Sequence, residues 1–256
     1  MKDRIQIRQE QDSGVTTLQM QHGKVNALDT EFCHALTARF KELRASDTRA
    51  SIITRTGTTF SAGVDLLRIL DGGVDYARAF APAVTKLFEV VFDFPKPVIA
   101  AVNGHAIAGG CVLACAADNR IMVSGSWRMD LPELLVGVPY PTVAVEILQL
   151  IIPPQYLQEL IYSGATMRSE EILKKGLVNE LVKPVQLMDR ARSIAQRFAD
   201  IPAPLFAQTE RQIRQPSHER DPGVLKNFAA RRCFFPLPAR STRRASRGWS
   251  ARRRSR

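Results

Sequence analysis

Residues 103–112, Asn103-Gly104-His105-Ala106-Ile107-Ala108-Gly109-Gly110-Cys111-Val112, read as a strand that breaks at glycines into a helix. Such a junction points free backbone N–H groups at an anion. Gly109 and Gly110 let a backbone approach a ligand with no Cβ in the way, and the helical turn that begins at Cys111 adds a dipole favouring negative charge. A second segment, Ser51 to Leu66, runs from an apolar strand into small residues and offers N–H groups around Ala62, Gly63 and Val64. Two such loops can form a two-donor oxyanion hole, which stabilises charge developing on a carbonyl oxygen. Close packing alone is the alternative, because Gly-Gly pairs at strand–helix junctions also serve that purpose.

The elements that must hold these loops are legible on either side of them. Pro97 to Val102 is an apolar, β-branched run of the kind a strand buried on both faces needs. Further strand-like runs at Ile5–Ile7, Val15–Leu18, Ser51–Thr54 and Arg120–Val123 alternate with helical patterns, which implies an α/β fold with crossovers. Phe32, Ala35, Leu36, Phe40 and Leu43 share one helix face after a cap at Asp29 or Thr30, and Tyr76, Ala77, Phe80, Val84, Leu87, Phe88 and Val91 repeat the pattern. Phe94-Pro95-Lys96-Pro97 ends that second helix. A helix after Met167 is closed by Gly176, and another runs from about Val185 to Phe198.

Composition narrows the class. At 256 residues, 45% hydrophobic and 24% charged, the chain can bury a full core. The net charge of +11 resembles a nucleic-acid signal until it is divided, for residues 231–256 hold ten arginines and no acid, leaving +1 for the rest. Cys33, Cys111, Cys115 and Cys233 are too few for a disulfide framework and suit a reducing, cytoplasmic setting. His22, His34, His105 and His218 are scattered, so no metal site is expected. The N-terminus has no apolar signal core, and no run reaches the ~20 residues that span a bilayer, so neither export nor a membrane span is expected.

Lys24-Val25-Asn26-Ala27-Leu28-Asp29, then Phe60-Ser61-Ala62-Gly63-Val64-Asp65-Leu66, then Asn103-Gly104 to Gly109-Gly110 follow in an order and spacing that resemble the crotonase (enoyl-CoA hydratase/isomerase) superfamily. Arg168 to Val182, with Gly176-Leu177-Val178-Asn179, resembles a later family segment, and the likeness runs from about Val15 to about Leu205. It implies a spiral of repeated ββα units over residues 1–185 and a C-terminal helical region over 186–230. It also implies a homotrimer or hexamer acting on an acyl-CoA thioester, with coenzyme A part of the substrate and no separate cofactor. By resemblance the oxyanion donors are the N–H groups of Ala62 and Gly109. The CoA contacts are Lys24, Asn26, Ala27, Leu28 and Ala62 to Asp65, although Asp65 could equally cap the following helix.

Hydratases of this family use two carboxylates. The first position is Val112 here, which can neither donate nor accept a proton, while the second matches Glu133 in Leu131-Pro132-Glu133-Leu134-Leu135-Val136-Gly137. An acid between Pro132 and two leucines is expected to be partly buried and raised in pKa, as a base working near neutral pH requires. One glutamate with an apolar residue at the first position is the pattern of the Δ3,Δ2-enoyl-CoA isomerases, so the chain is read as one of these. A hydratase-like enzyme or a weakly catalytic acyl-CoA-binding protein is the alternative. Asp130 and His105 are secondary candidates to assist. Val138 to Val143, with Pro139, Tyr140 and Pro141, replaces the glycine-rich stretch of hydratases with a stiff, filled loop.

Residues 231–256 form a third region without acids or an apolar face. Two readings stand for it: a disordered basic arm that binds nucleic acid or anionic membrane, with Trp249 to stack, or a shifted reading frame that replaced the last family helices. A search of the coding DNA for a frame that restores a helical end distinguishes them.

Overall fold

The computed structural model describes residues 6–219; the basic region 231–256, with Cys233 and Trp249, lies outside the described residues. An antiparallel hairpin of β1 (Gln6–Asp12) and β2 (Val15–Gln21) opens the fold, turning through Ser13 and Gly14 at positive φ. Three rounds with one plan follow β3 (Ala27–Leu28) and α1 (Thr30–Ala45). The first contains β4 (Ala50–Arg55), β5 (Thr59–Ser61), β6 (Gly63–Val64) and α2 (Leu66–Phe92). The second contains β7 (Val98–Val102), β8 (His105–Ile107) and α3 (Gly109–Cys115). The third begins with β9 (Asn119–Val123) and β10 (Met129–Asp130), then a 3-10 turn at Glu133–Val136. It continues through α4 (Thr142–Ile151), α5 (Pro154–Ser163) and α6 (Ser169–Lys174) to β11 (Glu180–Val182). Two helices, α7 (Leu187–Ala199) and α8 (Ala203–Glu219), complete it.

In each round the long strand joins a six-stranded sheet of order β1-β2-β4-β7-β9-β11, parallel from β2 onward. The short strands join a parallel β10-β8-β5 sheet or the two-stranded β3-β6 pair. Strand, short strand and helix thus repeat as a spiral, the α/β architecture expected of the motifs.

The period of two along each long strand divides the core. Ile53, Val98, Ala100, Val102 and Met122 face α1, α2 and α3, where Phe32, Phe40, Phe88 and Phe94 complete the larger cluster. Ile52, Ile99, Ala101, Ile121 and Val123 face the other way, against Leu187, Ala191, Ile194, Ala195 and Ala199 of α7. This two-sided burial explains why β7 is apolar at every position. Asp29 caps α1, its Oδ1 accepting the Phe32 N–H at 2.7 Å. Helix α2 is broken at Gly73, whose φ of 60° and ψ of −151° suit glycine. Arg68, before the break, holds its first part to α1 by bonding Asp29 and Glu31.

Candidate active site

Helix α3 opens at Ala108, a non-glycine residue with φ 51° and ψ −128°. Its N–H donates to Asp130 O at 2.8 Å, which anchors the strained turn to β10. The first bonds inside the helix run from Cys111 and Val112 N–H to Ala108 O, so the Gly109 and Gly110 N–H groups precede the ladder and point out of it. A Cβ on Gly63, at φ +77°, would lie 2.6 Å from Ile107 O and 3.0 Å from Gly109 N. Glycine is therefore required where the two loops meet. A Cβ on Gly109 would lie 3.8 Å from Val64 Cγ2, so the Val64 side chain packs next to Gly109.

Ala62, expected from the sequence to supply the second donor, is not free to do so: its N–H is spent on Val25 O at 2.9 Å. In the parallel β3–β6 pair the Asp65 N–H donates to Leu28 O at 3.0 Å, and strand alternation turns the Val64 N–H to the opposite side. Val64, two residues beyond Ala62, therefore presents the donor that stands with Gly109.

Glu133 begins the 3-10 turn after Pro132 and is 5% exposed. Burial pushes its carboxyl up to about 7, although the Tyr140 hydroxyl, donating to Oε2 at 2.7 Å, acts against that rise. The Cys111 thiol of α3 is fully buried, and its hydrogen bond with Cys115 and its burial raise its pKa. Val112, one residue on, is buried and apolar. The site thus combines an acid that titrates near neutrality with two N–H donors and no carboxylate at the Val112 position.

Other sequence candidates have different places. Asn26 is fully buried at φ 47°, with Oδ1 accepting the His22 N–H at 2.6 Å and Nδ2 donating to Phe60 O at 3.1 Å. Its side chain shapes the loop rather than reaching a ligand, a correction to its expected role in CoA contact. Leu28 is likewise wholly buried, and its Cδ1 packs beneath Gly109. Ala27 is half-buried and Lys24 exposed. Asp65 caps α2 by accepting the Arg68 N–H at 3.1 Å. Asp130 accepts the Met167 N–H at 3.1 Å and lies 3.4 Å from Arg128, so it braces the fold. The His105 Nδ1 accepts the Arg128 N–H at 3.2 Å, and burial lowers its pKa, which identifies a neutral structural imidazole.

Two groups carry roles that spacing did not suggest. Arg55 bonds Lys24 O at 2.6 Å and Thr59 O at 2.7 Å, tying the first loop to the second. Tyr140 reaches back seven residues to Glu133, a contact made by loop geometry that no periodicity encodes.

Residues 10–237 match the family model for enoyl-CoA hydratase/isomerase. A carnitinyl-CoA dehydratase of Salmonella paratyphi A is 35% identical over 216 residues, 80% of this chain and 82% of the dehydratase. A solved structure from Mycobacterium tuberculosis, described as a probable enoyl-CoA hydratase, superposes with a TM-score of 0.78 at 28% identity, over 82% of this chain and 89% of that one. The human mitochondrial Δ3-Δ2-enoyl-CoA isomerase, 24% identical, shares the fold with a TM-score of 0.82 over 88% of each chain. A family match that spans both donor loops and the glutamate turn shows that the protein belongs to the enoyl-CoA hydratase/isomerase family, the crotonase-type enzymes that act on coenzyme A thioesters.

Proposed function

We propose that the protein is a Δ3,Δ2-enoyl-CoA isomerase in which Glu133 carries one proton from C2 to C4. The observation that supports this most directly is the buried Glu133, whose carboxyl burial pushes up to about 7, together with the apolar Val112 at the position where a second catalytic carboxylate would stand. The Val64 and Gly109 N–H groups receive the thioester oxygen of a 3-enoyl substrate. Glu133 removes a C2 proton, and the electron pair delocalises onto that oxygen as a dienolate. Protonated Glu133 then returns the proton to C4, and the double bond settles between C2 and C3. No atom is gained or lost. Each fixed donor contributes about 3 kcal/mol to the transition state, and a carboxyl that titrates at about 7 is suited to both halves of the transfer.

A second reading, hydration or dehydration, is favoured by the carnitinyl-CoA dehydratases at 35% identity. It requires Glu133 to activate water and protonate the carbon chain without the help that Val112 cannot give. On the isomerase reading the enzyme works in the cytoplasm as a homotrimer or hexamer with no cofactor beyond substrate CoA, and light scattering tests that assembly. The deciding assay follows 3-hexenoyl-CoA by absorbance and mass. Conjugated product without added water, lost in Glu133→Gln, supports isomerisation; a water adduct supports the second reading, and a fully active Glu133→Gln rejects both.

A further inference from the structure

We infer that Tyr140 is a positioning residue for proton transfer by Glu133, its hydroxyl holding one carboxylate oxygen so that the other meets the substrate. The inference rests on the reading of Glu133 as the proton carrier. The phenol has one proton and two acceptors, Glu133 Oε2 at 2.7 Å and Leu131 O at 2.9 Å. While Glu133 is ionised, charge draws the proton to Oε2. Once Glu133 has taken a proton from carbon, the phenol can turn to Leu131 O, so neither state strands a buried polar group. The ring packs against the larger core cluster, which fixes the hydroxyl between its two partners. Burial and the nearby Glu133 charge raise the phenol well above its ordinary pKa, so Tyr140 stays a donor and never becomes the acid.

Among the described residues, no other titratable group around this turn duplicates the contact. Cys111 on α3 is raised by its hydrogen bond with Cys115 and by burial, and it remains a neutral thiol. Asp130 on β10 is held by Met167, Thr166 and Arg128. On α5, which packs against the turn, Tyr156 lies under the Lys175 ammonium, Glu159 pairs with Lys175 and Tyr162 is exposed. Among the described residues, Tyr140 is the side chain that donates to Glu133.

Infrared titration of the unliganded protein tests the inference, with the Glu133 carboxyl band assigned by its loss in Glu133→Gln. Tyr140→Phe removes only the hydroxyl. It is expected to move the Glu133 midpoint up by about one pH unit or more, the worth of a hydrogen bond to a charged group. The acid limb of kcat/KM should rise by the same amount, with kcat recovering at high pH and KM for 3-hexenoyl-CoA unchanged there. Site-specific 3-fluorotyrosine at position 140, a stronger donor of nearly the same size, should move the midpoint down. An unmoved midpoint and limb in both variants overturns the role of Tyr140 while leaving Glu133 as carrier. Wild-type turnover by Glu133→Gln instead overturns the isomerase reading itself.

Discussion

Burial withholds water from the Glu133 carboxylate, and the single hydroxyl of Tyr140 compensates only in part, so the group titrates at about 7 rather than 4.5. Two predictions follow from the same shift with opposite pH dependence. On the proposed isomerase reading, Glu133 must be ionised to take a proton, so kcat/KM for 3-hexenoyl-CoA should fall tenfold per unit below about pH 7, and a flat profile from pH 5 to 8 would contradict the assignment. Stability runs the other way. Between 4.5 and about 7 the folded chain binds this proton more tightly than the unfolded chain, so the contribution is present below 4.5 and lost as pH rises through 7. Glu133→Gln, which carries no charge to bury, should therefore be the more stable protein at pH 8, by up to about 3 kcal/mol, with the difference shrinking toward pH 5. Denaturant titrations of both proteins at the two pH values measure it. An unfavourable charge retained in a core is what a site pays for a base active near neutrality.

The donor loops show the same exchange at the level of elements. Ala108 holds a positive φ because β8 must turn sharply into α3 while its N–H stays on Asp130 O. Relief of that strain by Ala108→Gly should outweigh the added freedom of the unfolded chain and stabilise the fold by about 1 kcal/mol, read as a higher Tm. Gly63→Ala should do the reverse, since its Cβ would enter the Ile107 carbonyl and part the two donors. What was legible in the sequence divides along similar lines. The long strands and α1 are regular enough for their periods to show, and the glycines locate the loops. Ladder register decides which N–H is free, and so Val64 rather than Ala62 was beyond spacing arguments. Helix α4 carries nearly continuous apolar residues from Val143 to its cap at Ile152, a run without a clear period, and β3 and β6 are two residues each. At the far end, α8 is anchored by Arg214, 5% exposed, which bonds Asp118 at 2.6 Å and Glu210 and lies over the Phe92 ring. Arg214→Ala leaves the buried Glu210 and the largely buried Asp118 without their shared cation and should cost about 3 kcal/mol.

For the whole molecule, the two faces of one sheet have separate duties. The strands send their loops toward the donors and Glu133 from the side packed by α1, α2 and α3, while their other face is closed by α7 alone among the described helices. The helical pattern of residues 185–198 was plain in the sequence, but its place was not, because an amphipathic period fixes a buried face without naming what covers it. Since the donor loops leave the strands of this sheet, a fault on the α7 side should reach the site. Ala195→Asp puts a carboxylate into the apolar cluster that holds Ile52, Ile99 and Ile121, a cost of several kcal/mol. Arg192→Asp on the exposed side of the same helix is the control for charge and helix propensity, and it should stay within about 0.5 kcal/mol of wild type. If the sheet is one cooperative unit, loss of helical circular dichroism and loss of thioester binding should coincide in Ala195→Asp along a denaturant series. Binding lost well before the dichroism would instead mean that the donor loops unfold on their own, and that the spiral is less unified than its shared strands imply.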